Sequence, residues 1–489
     1  MRKILIGAIA LVAAYLGLRF FVRRQKPVID AGFLSTTVAT RNARLAAIGA
    51  RSGTRHAVHR VRTMAAPAEE RAALDAEHQL RTAGDVAAVL GELKGALMKL
   101  GQMASYLDDG LPEPVRVALA ELQQDAPPMA PELCTDVVRA ELGDVPHVLF
   151  AEWDPIPLAA ASIGEVHRAV TRDGREVAVK VQYPGVDEAI RADLVNTDIL
   201  FRALGLLFPG LDPKPLVEEL RERLVEELDY RIEADNQRLF AEFYEGHPFI
   251  HVPAVIAEYS TARVLTTELA KGARFSEVEG WSQEERDMAA ESIFRFVFRS
   301  IYRLGAFNGD PHPGNYVFGG QGKVSFLDFG LVKRYTPDEV RLFQDLIVAM
   351  VLERDIPEFR RVLEKNNVLK PAANVSDEDV REYFGHFYEF VLEDRVLAFT
   401  PDYSSATVKQ MFDASGPYAH VARASNVPPA FVITQRINLG LHAVLGRLHA
   451  KANWRRIAFE LWPFTDGPPS TPLGQAEAAW LVERGHAPH

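Results

Sequence analysis

The 489-residue chain holds one cysteine, Cys134. Intramolecular disulfides and any multi-cysteine zinc site are thereby excluded, and a reducing compartment fits. Acidic residues are scarce at the N-terminus: residues 1–63 contain twelve Lys/Arg and only Asp30. The remainder is short of positive charge and carries a formal −22, against −11 for the whole chain. A body that acidic is unsuited to non-specific nucleic-acid binding. Internal repeats and long low-complexity tracts are missing, and no run of 18 apolar residues occurs beyond residue 22. At 48% hydrophobic and 25% charged residues, the chain is neither disordered nor collagen-like. Its length suits two or three folding units with a large core.

The one long apolar run is Ile4–Val22, 19 residues with a single charge at Arg19. As a helix it spans roughly 28 Å, close to the hydrocarbon thickness of a bilayer. A cleaved signal peptide would place a small-residue site after the run, but Arg23, Arg24 and Lys26 stand there instead. One N-terminal transmembrane helix is therefore expected. Nine Lys/Arg between Arg23 and Arg62, against two before the span, put the main body on the cytoplasmic side. The basic stretch suits either anionic headgroups or a solvated tether.

Within the body, Leu90, Leu93, Leu97, Leu100 and Ala104 have helical spacing. Prolines then cut the chain into short helices, including 131–142. Val166–Val170 and Val177–Val181 read as strands joined by a Thr171-Arg172-Asp173-Gly174 turn. Helices are expected over 186–207 and 213–245, strands over 252–255 and 263–269, and an apolar helix over 283–304. A hairpin pairs 316–318 with 323–327, and helices follow nearly to the end. Thr336-Pro337-Asp338-Glu339 has capping-box spacing. The expected divisions are an anchor (1–26), a basic tether (27–67), a helical extension (68–145), a mixed lobe (146–270) and a helical lobe (271–489).

Chemistry concentrates in Asn308-Gly309-Asp310-Pro311-His312-Pro313-Gly314-Asn315. Its prolines and glycines predict a rigid loop, placing Asp310 and Asn315 five positions apart. A hairpin later comes Asp328-Phe329-Gly330. Phosphoryl transfer needs a carboxylate to orient the nucleophile and hard oxygen ligands for Mg²⁺. Asp310 supplies the first, and Asn315 and Asp328 the second, in the order kinases use. Upstream, Val177-Ala178-Val179-Lys180 ends a strand and offers Lys180 to nucleotide phosphates. Its expected carboxylate partner is Glu226 or Glu227. Three parts of an ordinary protein kinase are missing. No Gly-x-Gly-x-x-Gly precedes Lys180, Asn308-Gly309 replaces His-Arg, and no Ala-Pro-Glu follows Asp328. The histidines show no transition-metal spacing.

These departures form a pattern that resembles the UbiB/AarF family of atypical kinase-like proteins. Lys99-Leu100-Gly101-Gln102 matches the family's Lys-x-Gly-Gln, and Ala159-Ala160-Ala161-Ser162 its alanine-rich nucleotide loop. Glu227-Leu228-Asp229 matches its Glu-x-Asp. Glu165 departs from the glutamine often found there, and the N-terminal position of the anchor departs from some bacterial relatives. The resemblance implies an α+β, protein-kinase-like bilobal fold with an N-terminal helical extension and a largely helical C-terminal lobe. It implies ATP or ADP and Mg²⁺ as cofactors, with Asp310, Lys180, Lys99 and Gln102 in catalysis. Ala159–Ser162, Lys180, Glu227 and Asp229 would hold nucleotide, and Asn315 and Asp328 the metal. It further implies membrane lipids, quinone or prenyl-lipid intermediates and their biosynthetic enzymes as partners, with a role in isoprenoid-quinone biosynthesis. A phosphotransferase on protein or small-molecule hydroxyls and a nucleotide-binding scaffold are the alternatives.

Overall fold

The computed structural model describes residues 129–161, 163–195, 225–309, 311–370, 375–404, 406, 416–425 and 440–485. The expected anchor at Ile4–Val22, the basic tether, Lys99, Gln102, Ser162 and Asp310 lie outside the described residues. Among the described residues, no helix is long and apolar enough to cross a membrane.

Helix α1 (Pro131–Leu142) begins on proline and ends at Gly143, whose φ of 89° is the left-handed conformation that favours glycine. It buries Cys134, Val137 and Val138. Helix α2 (Pro146–Leu149) leads into β1 (Phe150–Trp153), followed by β2 (Ala159–Ala160), β3 (Gly164–Thr171) and β4 (Glu176–Gln182). Val177, Val179 and Val181 of β4 are fully buried, so the strand's two-residue period turns Ala178 and Lys180 to the opposite face. Gly164 is demanded by packing, since a Cβ there would meet the Val181 carbonyl oxygen at 2.2 Å.

Next come α3 (Val186–Val195), α4 (Tyr230–Phe243), β5 (Ile250–His251) and β6 (Val264–Glu268). The first sheet is antiparallel in the order β1-β3-β4-β6, with β2 also on β3. Two expectations are corrected here. The helix foreseen across 213–245 is broken at 227–229, where the chain turns and Asp229 restarts it as an N-cap, accepting the Arg231 N–H at 3.1 Å. The strand foreseen at 252–255 is absent: β5 ends just before it, and only an isolated bridge from Val255 to Thr267 falls within it. Pro253 has no N–H to continue a ladder.

The C-terminal part opens with β7 (Ala273–Arg274), α5 (Phe275–Val278) and α6 (Gln283–Arg299). Helix α6 runs into a wider π-helical turn, Ser300–Leu304, closed by Gly305 at φ 63°. Strands β8 (Ala306–Asn308), β9 (Tyr316–Gly320), β10 (Lys323–Phe326) and β11 (Val332–Arg334) follow. A second sheet orders β5-β10-β9-β7, and β11 pairs with β8. Helix α7 (Pro337–Ile347) carries the expected capping box between Thr336 and Glu339. Helices α8 (Ile356–Lys365), α9 (Asp377–Gly385), α10 (Glu389–Leu392), α11 (Ala419–Ala424), α12 (Trp454–Leu461) and α13 (Pro472–Glu483) complete the lobe.

Helices α6, α12 and α13 are joined by buried charge as well as apolar contact. Arg295, with no exposed side-chain surface, donates to Glu291 (2.7 Å), Glu460 (2.6 Å) and Glu477 (2.9 Å). Arg299 adds a bidentate pair to Glu477 at 3.0 and 3.1 Å. Burial alone would raise the Glu477 carboxyl, but Arg299, His247 and Arg295 hold it well below the usual carboxylate range.

His442 is packed among Phe390, Phe399 and Tyr403, and its ring nitrogens find no hydrogen-bond partner among the described residues. Burial first, and His386 second, push its pKa down to about 3. The ring is thus neutral in the fold but takes up a proton in the unfolded chain as pH falls below about 6.5. Its contribution to stability is complete above that pH and lost on acidification, by about 1.4 kcal/mol per unit. Urea unfolding at pH 7 and pH 5 should show the gap between parent and His442→Leu shifting by about 2 kcal/mol in favour of the variant at the lower pH. A pH-independent gap would contradict the neutral buried ring.

Candidate active site

The strand period presents Lys180 to the face away from the valine core, between its cross-strand neighbours Val166 and Leu265. Facing it is α4, whose buried positions Tyr230, Glu233, Ala234, Gln237 and Phe240 form one helical stripe. Glu233 is the carboxylate in that stripe. Both its oxygens accept from Lys180 Nζ at 2.8 Å. Lys180 also lies 3.5 Å from Asp328 and 5.1 Å from the centre of the Tyr230 ring.

Asp328 stands two residues past the end of β10 and sits at φ 59°, a left-handed conformation that Asp tolerates better than most residues. Its Oδ1 accepts the Gly330 N–H at 3.1 Å. The intervening Phe329 is fully buried, 5.0 Å from Phe240, while its carbonyl accepts from Asn236 at 3.2 Å. Three further bonds tie this turn to the 308–315 loop. Asn308 Nδ2 donates to the Asp328 carbonyl (2.9 Å), Gly309 N to Leu331 O (2.7 Å), and Leu327 N to Asn315 O (2.8 Å). Asn315 is thereby held beside the residue preceding Asp328. Asn308 itself ends β8 rather than lying in an irregular loop, because β11 returns at once to pair with it.

The charges reinforce one another. Burial works against the Lys180 ammonium, but Asp328 and Glu233 outweigh it and hold its pKa well above the ordinary lysine value. Burial pushes the Glu233 carboxyl up to about 7, with Lys180 pulling it down and Asp328 pushing it up again. A largely buried cation thus has one buried carboxylate behind it and a second, one-quarter exposed carboxylate in front.

This arrangement has clear relatives. The family profile described as "ABC1 atypical kinase-like domain" matches residues 121–363. The mitochondrial atypical kinase COQ8B of Rattus norvegicus is 34% identical over 280 residues, covering 57% of this chain and 52% of the relative. The mitochondrial atypical kinase COQ8 of Saccharomyces cerevisiae is 32% identical over 263 residues, 53% of this chain and 52% of its own. A solved Mycobacterium tuberculosis protein, described as the complex of Rv3197 with erythromycin, aligns with a TM-score of 0.58 at 32% identity. That alignment covers 80% of this chain and 98% of the solved one. The chain belongs to the ABC1 (UbiB/AarF) family. It spans about half the length of the curated relatives it matches. Its fold is the protein-kinase-like α+β arrangement.

Within this ABC1 framework, Lys180 and Asp328 lie 3.5 Å apart, and the Asn315 backbone is bonded to Leu327, the residue before Asp328. The carboxylate expected from Glu226 or Glu227 is corrected to Glu233. Glu227 and Asp229 lie in and after the turn before α4, so they are not on its buried stripe. Glu227 is buried, and its charge helps raise Tyr230 and Glu233. Asp229 is engaged by Arg231 Nε and Nη2 at 2.8 and 2.6 Å, which holds its carboxyl below the usual value. The alanine-rich segment is a short hairpin arm. Exposed Ala159 and Ala160 pair with Val166 and Glu165, and Ala161 N donates to Gly164 O at 2.8 Å. The sequence signal for Glu233 was available: it stands three residues after Tyr230 and next to Ala234, inside the apolar spacing.

Proposed function

We propose that this protein is an atypical kinase or ATPase that binds ATP or ADP with Mg²⁺ at the Lys180–Asp328 junction. The carrying observation is the Lys180 ammonium, oriented by Glu233 and facing the Asp328 carboxylate. Hard oxygen donors suit Mg²⁺, and a desolvated ammonium suits phosphate oxygens, so this donor set fits the cofactor. Asp328 and Asn315 would hold the ion, and Lys180 the phosphates. Glu227, Asp229 and the Ala159–Ser162 arm would border the nucleotide. When bound, Mg-ATP supplies a phosphoryl group whose charge the metal neutralises. Glu233 keeps Lys180 charged and aimed, and the Gly330 N–H orients the Asp328 carboxylate. Asp310 would accept the proton of the attacking hydroxyl or water. Lys99 and Gln102 would reach the nucleotide from the N-terminal extension, where a peptide would otherwise lie.

The favoured acceptor is water, in support of isoprenoid-quinone or other prenyl-lipid metabolism at a membrane, with membrane lipids, pathway intermediates and biosynthetic enzymes as partners. Strand β11 starts four residues after Asp328 and pairs back onto β8, which leaves little chain to cradle a peptide. The relatives named atypical kinases, and the anchor expected at Ile4–Val22 with the body on the cytoplasmic side, support the same setting. Purified full-length protein should release ADP faster with vesicles of anionic phospholipid, without transferring labelled phosphate to added protein. Phosphate transfer to a protein or small-molecule hydroxyl would favour the phosphotransferase. Absence of ADP release under all conditions would favour the scaffold.

A further inference from the structure

Away from the Lys180 junction, Cys134 of α1 meets Glu165 and His167 of β3. All three are buried, at 2%, 1% and 1% exposure. Glu165 and His167 are two apart on a strand and share a face, while Cys134 projects from the buried side of α1. One potential ligand atom from each lies within 4.8 Å of the others. His167 Nε2 is 3.5 Å from Cys134 Sγ and 2.9 Å from Glu165 Oε1.

The outer contacts orient these groups. His167 Nδ1 lies 2.9 Å from the Asp154 carbonyl oxygen, which can only accept, so the ring carries its proton there. With Nδ1 held there, the ring turns Nε2 toward the thiol and the carboxylate. Trp153 stacks on the ring at 4.7 Å, and the Met129 N–H donates to Glu165 Oε2 at 2.8 Å, leaving Oε1 toward His167. A histidine whose far nitrogen is held by a carbonyl, beside a hydrogen-bonded carboxylate, has the outer shell of a metal ligand.

We propose that Cys134, Glu165 and His167 bind a borderline divalent transition ion, with zinc as the best match. Thiolate, imidazole and carboxylate are the donor types such ions take. Tetrahedral bonds of ordinary length imply a sulfur–nitrogen separation of roughly 3.5 Å, and the cluster has 3.5 Å. The nitrogen–oxygen edge would open from 2.9 Å to roughly 3.3 Å. Thiolate and carboxylate together neutralise a divalent charge, so the occupied site buries no net charge. Burial, then Glu165, pushes the free Cys134 thiol up to about 12. Binding therefore breaks the S–H bond and forms the S–metal bond, and it displaces the proton shared by His167 Nε2 and Glu165 Oε1, both protons leaving to solvent. The ion would fasten α1 to the strand on which Ala160 pairs with Glu165. This inference does not depend on the proposed nucleotide reaction.

Cys134 is the chain's sole cysteine, so a thiolate-to-cobalt charge-transfer band can come from no other residue. Full-length protein stripped with chelator and titrated with Co²⁺ should develop that band with one equivalent. Zn²⁺ should displace the cobalt and raise the melting temperature. Glu165→Gln keeps the shape and the acceptor for Met129 N–H; it and His167→Gln should each weaken cobalt binding by more than about 100-fold, beyond the usual loss for an outer-shell partner. Metal-free melting curves serve as the folding control, and if His167→Gln does not fold, Glu165→Gln carries the test. Absence of the band in the parent would mean a hydrogen-bonded imidazolium cluster and overturn the proposal. So would unchanged affinity in the folded variants.

Discussion

Asp328→Asn should weaken Mg-ATP binding by at least roughly 30-fold, equivalent to about 2 kcal/mol. The substitution removes a negative charge 3.5 Å from Lys180 while preserving the local structure. Asparagine tolerates the left-handed backbone at this position, and its amide oxygen still accepts the Gly330 N–H. Lys180 keeps both contacts to Glu233. What is lost is a hard anionic ligand at the place where the ion would bridge the phosphates. Calorimetric titration with Mg-ATP, beside metal-free ADP, separates the metal from the nucleotide: the first should weaken far more than the second. Equal affinity of parent and variant for Mg-ATP would remove Asp328 from the metal site.

Arg295→Ala should cost about 3–5 kcal/mol of stability, the usual range for breaking a buried ion pair from one side. Glu291, Glu460 and Glu477 would be left facing a space without their shared cation. The loss should shrink at low pH, where protonated carboxyls relieve the repulsion. Arg299 still pairs with Glu477, so the damage centres on Glu291 and Glu460, the links from α6 to itself and to α12. Denaturant midpoints of parent and variant, compared at pH 7 and pH 5, measure both effects. A variant as stable as the parent at pH 7 would show that the cluster contributes nothing net.

Local signals in the chain were good guides wherever neighbours in sequence decide the structure. The limits of α1 follow from Pro131 and Gly143, the β3–β4 hairpin from valine alternation around Asp173-Gly174, and the start of α7 from Thr336 and Glu339. Kinase order likewise pointed to Lys180 and Asp328, which the fold brings within 3.5 Å. What failed depends on tertiary contact. An acidic helix offers many glutamates, and only packing against β4 selects Glu233 over Glu226 and Glu227. The break at 227–229 is hidden because its cap, Asp229, stands inside an acidic stretch whose spacing is otherwise helical. Cys134 and His167 are 33 positions apart, with no repeat or spacing to announce that they meet.

The π-helical turn at Ser300–Leu304 leads directly into β8, the strand that holds Asn308 against the Asp328 carbonyl. Such a turn accommodates one residue more than an α-helix does over the same rise. Each helical residue advances direction by roughly 100°, so the aim of everything downstream depends on how many residues the turn contains. Deleting one would let the turn close into regular α-helix over nearly the same rise and leave the aim of β8 almost unchanged, whereas an insertion or a second deletion would swing β8 through about that angle. This segment therefore tolerates the loss of one residue but no larger change of length, and a sequence lengthened at 300–304 would be one in which the loop no longer meets Asp328.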